Sequence, residues 1–482
     1  MSSFPADSST NPIVLSQVAL QHDFSNVFAD IGENTVFAED IFLSCYHLGL
    51  PSVHGKVNVR KDESGASPGG ILLESRDGVE LTRLDHSHTF TVSCPPLSIF
   101  NTVLRAPRQT FSFNSSQTST SIRRISSFDV SADASLIATG HYDGTISIES
   151  VSPSTDPEAP KFPLTSKKLH LSTVLSLRFF PSNKVLLSAS SDLSLNIISA
   201  IPGSDSNPLE PFAVPRTLKG HKAAVTDTAI LGVGRRVLSC SKDGSVRLWD
   251  VSKEAKISAL TSDQFAPIMR MAVSGHSLAW SGNESWNGHL PPDGLLTSTS
   301  VNEQAVSPSD VTDTYENVIY TVLQNGAFNV LDLRTRNLIY ASPPSRISAS
   351  RASLCAVAQE DNSHFLATGS QGGIINVYDI RYLPSESSST PSSVEHPSLF
   401  SFQRSNSPID DLHFVPPNEG KGAPDLLIAV GDGFPFRASL HPDGPKVVEE
   451  LIGFADESVT VVRTDGRGTV WAAGHDGIVR KY

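Results

Sequence analysis

Cysteine is scarce and scattered: Cys45, Cys94, Cys240 and Cys355 are the four in the chain, and no two form a CxxC pair. That spacing excludes a zinc knuckle and a dithiol redox motif and offers no disulfide framework. Cys240 and Cys355 fall in stretches that read as strands, so buried reduced thiols are expected, in a cytoplasmic or nuclear protein. Positive charge is also in short supply. Lys plus Arg number 37 against 50 for Asp plus Glu, a formal net charge of −13, which argues against nucleic acid and for a partner protein with a basic patch. No apolar run approaches the length of a membrane span, and Met1 to Asp7 leads into polar sequence, so neither a membrane helix nor a signal peptide is expected. Long helical patterning is absent, while 32 Gly and 32 Pro supply turns, the composition of a β-rich chain. P-loop, Rossmann glycine, HExxH and Gly-x-Ser-x-Gly patterns are missing as well, which removes the common phosphate, dinucleotide, zinc-protease and serine-hydrolase chemistries.

What the chain does contain is a repeat, most legible in TLKGHKAAVTDTAILGVGRRVLSCSKDGSVRLWDV, Thr217 to Val251. Gly220-His221 opens it, Ser239 sits in an alternating apolar run, Asp243-Gly244 makes a turn, and Trp249-Asp250 closes it. That order is the signature of one blade of a WD-repeat propeller, a four-stranded antiparallel sheet that must stack beside others to bury its faces. Sliding the template back by 51 places aligns His170, Ser188, Asp192 and Ile198 with His221, Ser239, Asp243 and Trp249; sliding it back by 100 aligns Thr139, Asp143, Gly144 and Glu149. Forward shifts of 82, 129 and 233 bring in Thr321, Asn325, Gly326 and Asp332, then Thr368, Gly373, Tyr378 and Asp379, then Asp476, Gly477 and Tyr482. A weaker copy surrounds Asp432-Gly433, where Pro435 is expected to sit badly in a paired strand. The units number seven, so the expected fold is all-β: a seven-bladed WD-repeat β-propeller over residues 109–482, preceded by a small β-rich N-terminal domain over 1–108.

Within that N-terminal region, Pro12 to Pro107 reads as short strands and turns. Ile41, Leu43 and Cys45 alternate with Phe42, Ser44 and Tyr46, and a turn at Asp77-Gly78 precedes Val79 and Leu81. Arg60 to Gly70 is a polar loop and Asn114 to Ser121 a low-complexity linker. Since the last blade lacks an outer strand, Gln109 to Phe113 is expected to close the ring. Two excursions, 281–314 and 383–396, read as surface loops; Asn283 and Ser285 fit a glycosylation acceptor only in a secreted chain.

His221, Ser239 and Asp243 invite a nucleophilic-triad reading. The same columns recur at His170, Ser188 and Asp192, however, and no oxyanion hole is marked. A hydrogen-bonded network within the blade, with Trp249, accounts for these residues better, and no catalytic residue or cofactor is expected. Asp85, His86 and His88 have a metal-ligand look, but an alternating run without a further ligand is a solvated edge, and no metal is expected. Arg105, Arg108, Arg123 and Arg124 read as a surface cluster or as partners of the acidic body.

The runs GHKAAVTDTAI and VLSCSKDGSVRLWD, with Ser44-Cys45-Tyr46 and Pro51-Ser-Val-His-Gly-Lys-Val57 upstream, resemble the proteasomal ATPase-associated factor family. The resemblance implies a non-enzymatic chaperone, monomeric before binding, that holds the C-terminal domain of a proteasomal ATPase subunit while the base of the 19S regulatory particle assembles. In a four-stranded meander the turns alternate ends, so one propeller face carries Tyr142, Ser191, Lys242, Gln324, Gln371 and His475, each directly before the Asp-Gly column. These are the expected partner contacts. An alternative reading is a substrate receptor of a cullin-type ubiquitin ligase, because Leu331-Asp332-Leu333-Arg334 and Tyr378-Asp379-Ile380-Arg381 resemble the aromatic-Asp-x-Arg ends that such receptors present to their adaptor.

Overall fold

The computed structural model describes residues 12–62, 70–84, 88–113, 123–151, 165–200, 212–274, 318–344, 353–360, 364–383, 398–415, 423–441, 443–455 and 457–482. The linker at Asn114 to Ser121, the excursion 281–314 with Asn283 and Ser285, residues 384–396, most of the Arg60 to Gly70 loop, and Asp85 with His86 lie outside the described residues.

Seven sheets form a ring. Their innermost strands are Ile125–Val130, Val174–Phe179, Val225–Leu231, Ile268–Ser274, Leu354–Glu360, Ile409–Val415 and Val459–Thr464, each packed against the next, with the last returning to the first. Blade three shows why the sequence folds this way. Its second and third strands, Arg236–Ser241 and Ser245–Asp250, pair Val237 with Trp249 and Leu238 with Leu248, and both faces are buried because blades two and four cover them. The turn between them needs Gly244: its φ is 75°, and a Cβ there would meet the Phe265 carbonyl oxygen at 2.6 Å.

A register shift recurs at the start of all seven innermost strands, from Ile125/Ser127 in the first to Val459/Val461 in the last. Such a bulge re-aims one side chain, and in four blades that side chain donates to the first carbonyl of the next innermost strand: Ser126 Oγ to Val174 at 2.7 Å, Thr226 Oγ1 to Ile268 at 3.0 Å, Cys355 Sγ to Ile409 at 3.0 Å and Thr460 Oγ1 to Ile125 at 3.3 Å. Cys355 is therefore a donor in the ring's stitching. Blade six, the weakest repeat, has all four strands. Pro435 lies just before the strand Phe436–His441 and its carbonyl accepts from Leu451 N–H at 3.0 Å, so the missing proline N–H leaves no gap in the ladder.

Blade seven takes its outer strand from Gln109–Ser112, which pairs antiparallel with Ile478–Lys481. Phe111 and Phe113 are buried against Phe128 and Trp471, on opposite sides of the seam.

Ahead of that strand the chain packs a four-stranded sheet (Gln17–Leu20, Ala38–Tyr46, Val53–Lys61, Ile71–Ser75) against three further strands, Glu80–Arg83, Thr89–Cys94 and Ile99–Arg105. The expectation of strands and turns alone is corrected here by one helix, Phe24–Gly32. Phe24, Val27 and Ile31 recur at helical spacing and are buried in the small domain's core. The small domain is joined to the ring by strand pairing. Ile99–Arg105 lies parallel to Gly444–Leu451, the outer strand of blade six, making one seven-stranded sheet, and Ile13–Val14 lies parallel to the outer strand of blade five. Under this seam Arg404 donates to both oxygens of Glu450 at 2.7 and 2.8 Å; Glu450 also accepts Val18 N–H at 3.2 Å, and Arg404 covers the Phe436 ring at 4.4 Å. Arg105 pairs with the buried Glu449. No helix among the described residues is long and apolar enough to cross a membrane.

Candidate interaction surface

In blades two and three a polar column is built from a histidine in the turn that precedes the blade. In blade three His221 lies between Asp243 Oδ2 at 2.9 Å from Nδ1 and Ser239 Oγ at 2.7 Å from Nε2, and Trp249 Nε1–H donates to the same Oγ at 2.8 Å. Asp243 further accepts from Lys222 N–H at 2.9 Å and Ser245 Oγ at 2.6 Å. Burial alone would raise the Asp243 carboxyl, but the Ser245, Lys222 and His221 donors outweigh it and hold the group at about 2. Burial pushes the His221 imidazole down, against the pull of Asp243. Ser239 is wholly buried, and the arrangement ties the entering turn, the second strand and the next turn together.

Blade two repeats it, with His170 at 3.0 Å from Asp192 Oδ2 and 2.8 Å from Ser188 Oγ. Ile198 occupies the Trp column without a donor, and Asn196 instead donates to the Leu169 carbonyl at 3.1 Å. Blade one has a variant that sequence reading missed: His141, on the second strand, lies 3.2 Å from Thr139 Oγ1, Ser147 Oγ and the Arg124 carbonyl. Its signal is a histidine just beyond Thr139, the residue in the Ser column, on the second strand instead of in the preceding turn.

The innermost strands leave a central channel of about 690 Å³ lined by Asp129, Arg178, Asp227, Arg270, Asp411 and Arg463 among others. The carboxylates are engaged across blades: Asp129 accepts from Phe179 N–H at 2.7 Å, Asp227 from Met271 N–H at 3.3 Å and Asp411 from Val462 N–H at 3.2 Å. Three arginines face three aspartates, and the channel holds the ring together without a net charge to offer.

One face of the ring gathers Tyr142, Ser191, Lys242, Gln324, Gln371 and His475. The N–H groups of Ser191, Lys242, Gln324, Gln371 and His475 donate to the carbonyls of Thr173, Ala224, Pro267, Ser353 and Ser458 at 2.8 to 3.0 Å, each the residue just before its blade's innermost strand. The backbone at these positions is thus fixed. Lys242, Gln324 and Gln371 are exposed and Ser191 and His475 half-buried. Tyr142 stands at 49% exposure and its hydroxyl lies 2.8 Å from His475 Nε2, bridging blades one and seven. Burial lowers the His475 imidazole, with Arg124 adding to the effect. Nearby Asp410 is pushed up to about 6 by burial, with Asp411 and Asp432 adding to it, although Ser458 donates to it at 2.9 Å. Leu171 at 88% and Phe265 at 69% exposure share this face. Sequence reading missed both; an apolar residue directly after His170, in a turn, was the available signal.

On the opposite face Arg334 N–H donates to Asp332 at 2.7 Å, and Arg381 folds back on Asp379, Nε to Oδ1 at 2.9 Å and Nη2 to Oδ2 at 2.5 Å. That carboxylate holds much of the group an adaptor would grip.

Comparison with known proteins agrees with the repeat. The WD domain, G-beta repeat model matches residues 108–148 and 213–250. The chain is 48% identical over 66 residues to the 26S proteasome regulatory subunit RPN14 of Saccharomyces cerevisiae, a match covering 14% of each chain. It is 26% identical over 251 residues to the ribosome biogenesis protein YTM1 of Podospora anserina, 51% of this chain and 47% of that one, and 34% identical over 116 residues to the nuclear distribution protein PAC1 of Arthroderma otae, 22% and 23% respectively. Each match therefore spans less than half of the relative. The matched repeats, and the closed ring of blades on which they fall, make this chain a WD-repeat β-propeller.

Proposed function

We propose that this chain is a non-enzymatic assembly chaperone that binds the C-terminal domain of a proteasomal ATPase subunit while the base of the 19S regulatory particle forms, acting as a monomer in cytoplasm and nucleus. The observation that carries this reading is the 48% identity to a proteasome regulatory subunit, well above the 26% of the longer match to a ribosome biogenesis protein. The face bearing Tyr142, Lys242 and Gln371 is the contact surface in this reading. It combines pre-ordered backbone with exposed apolar side chains, which lowers the ordering cost of binding. The acidic balance of the chain suits a basic partner through long-range steering.

Affinity capture with the intact protein, read by mass spectrometry, is expected to enrich proteasomal ATPase subunits without the proteolytic core. Recovery of a cullin adaptor and no ATPase, with binding abolished by charge reversal at Arg334 and Arg381, would replace this reading with the ligase receptor.

A further inference from the structure

The face opposite Tyr142 and Lys242 carries a cation that recurs from blade to blade. In blades three, four and five the third strand ends on Asp250, Asp332 and Asp379, where blades one and two end on Ser150 and Ser199. Each carboxylate caps the turn that follows. Asp250 Oδ1 accepts from Lys253 N–H at 3.1 Å, Asp332 Oδ1 from Arg334 N–H at 2.7 Å and Asp379 Oδ1 from Arg381 N–H at 3.0 Å. The same capped turn thereby presents an exposed cation on three consecutive blades, Arg381 while paired with the Asp379 carboxylate, and the exposed Arg336 and Arg235 add two more. Among the described residues of these turns the exposed carboxylate is Glu254, itself 3.9 Å from Arg216. In a chain of net charge −13 this is a local reversal of sign. Two large apolar side chains stand in solvent in the same sector: Val233 at 82% exposure and Tyr382 at 73%, the latter with the Arg381 guanidinium 5.7 Å from its ring centre.

We propose that this sector binds an acidic segment of a partner polypeptide, one with apolar side chains set between its carboxylates. The cations supply steering and register, and Tyr382 and Val233 supply the desolvated anchors that carry interface energy. A nucleic acid fits less well. The net charge of the whole molecule repels a long polyanion, and a single exposed ring offers no platform on which successive bases stack. The inference stands apart from the proteasomal reading, since it uses the other face.

The test is fluorescence anisotropy of the full chain with three labelled probes: a short peptide alternating Glu-Asp pairs with Leu and Phe, its Gln-Asn counterpart, and single-stranded oligothymidine. The acidic peptide is expected to bind, more weakly as salt rises. Arg334→Glu with Arg336→Glu should weaken it about tenfold or more, and Tyr382→Ala should weaken it too. Lys222→Glu with Lys242→Glu on the other face should leave it unchanged, with all melting curves superimposed. Equal binding of the Gln-Asn peptide, preferential binding of oligothymidine, or equal loss in the other-face variant would overturn the proposal. A further outcome does so as well. The chain leaves blade four at Ser274 and returns at Val318 on this same face, and residues 275–317 contain Glu284, Asp293, Glu303, Asp310, Asp313 and Glu316 but no Lys or Arg. Binding that emerges only when those residues are replaced by a Gly-Ser linker would assign the sector to the chain's own insertion instead of a partner.

Discussion

His221 and Asp243 do for the blade what a capping residue does for a helix, since each side chain takes up backbone or side-chain groups that folding has removed from water. Removing His221 leaves Ser239 and Asp243 partly unpaired in the interior. His221→Ala is therefore expected to lower unfolding free energy by about 1 to 3 kcal/mol, measured by urea denaturation. The pH dependence follows from two depressed groups. The folded His221 imidazole lies below its ordinary 6.5, so the unfolded chain protonates first and stability present above that value is lost as pH falls through it. Asp243, at about 2 against an ordinary 3.8, contributes about 2 kcal/mol above 3.8 that is lost between there and 2. Wild type should thus lose stability steadily on acidification, and the variant should show a shallower slope at the upper end. An identical slope in both would assign the acid sensitivity to other groups, such as His413, which burial and Arg463 push down to about 3.

Among elements, the strand Gln109–Ser112 matters beyond its length. It is the outer edge of blade seven, and Phe111 and Phe113 insert into a cluster that Phe128 of blade one and Trp471 of blade seven share. Phe111→Asp with Phe113→Asp is expected to unlatch the ring, lowering the melting temperature and broadening the transition as the end blades fray; an unchanged calorimetric trace would show that the stitches from Thr460 to Ile125 and from Tyr142 to His475 close the seam unaided. The blades themselves were legible because turn residues and alternation recur at a fixed offset, and Asp243-Gly244 marks the register in one glance. The helix Phe24–Gly32 was passed over because its nine residues carry only one apolar stripe between two strand-like runs. Pro435 looked like a break in a strand because sequence shows that a proline lacks its N–H, not that its carbonyl oxygen will accept the Leu451 N–H from the neighbouring strand.

For the molecule as a whole, the small domain is a cover for exposed edges. Five blades end on an outer strand with no further strand beside it among the described residues, whereas blades five and six are capped by Ile13–Val14 and Ile99–Arg105. A chain beginning at residue 108 would bare both edges and the buried Arg404–Glu450 pair, and unpaired strand edges recruit other chains. That truncation is expected to sediment as oligomers where the full chain is monodisperse; a monomeric truncation of unchanged melting temperature would make the domain an appendage. Composition and repeat spacing alone determined that this chain is a β-propeller of seven blades and where its His, Ser, Asp and Trp columns fall, because local alternation, turn chemistry and periodicity are properties of neighbouring residues. Which distant groups meet is a property of the closed ring. Only the tertiary structure decided that Arg404 answers Glu450, that Tyr142 reaches His475 across 333 positions of sequence, and that Lys253, Arg334 and Arg381 share one face beneath three adjacent blades.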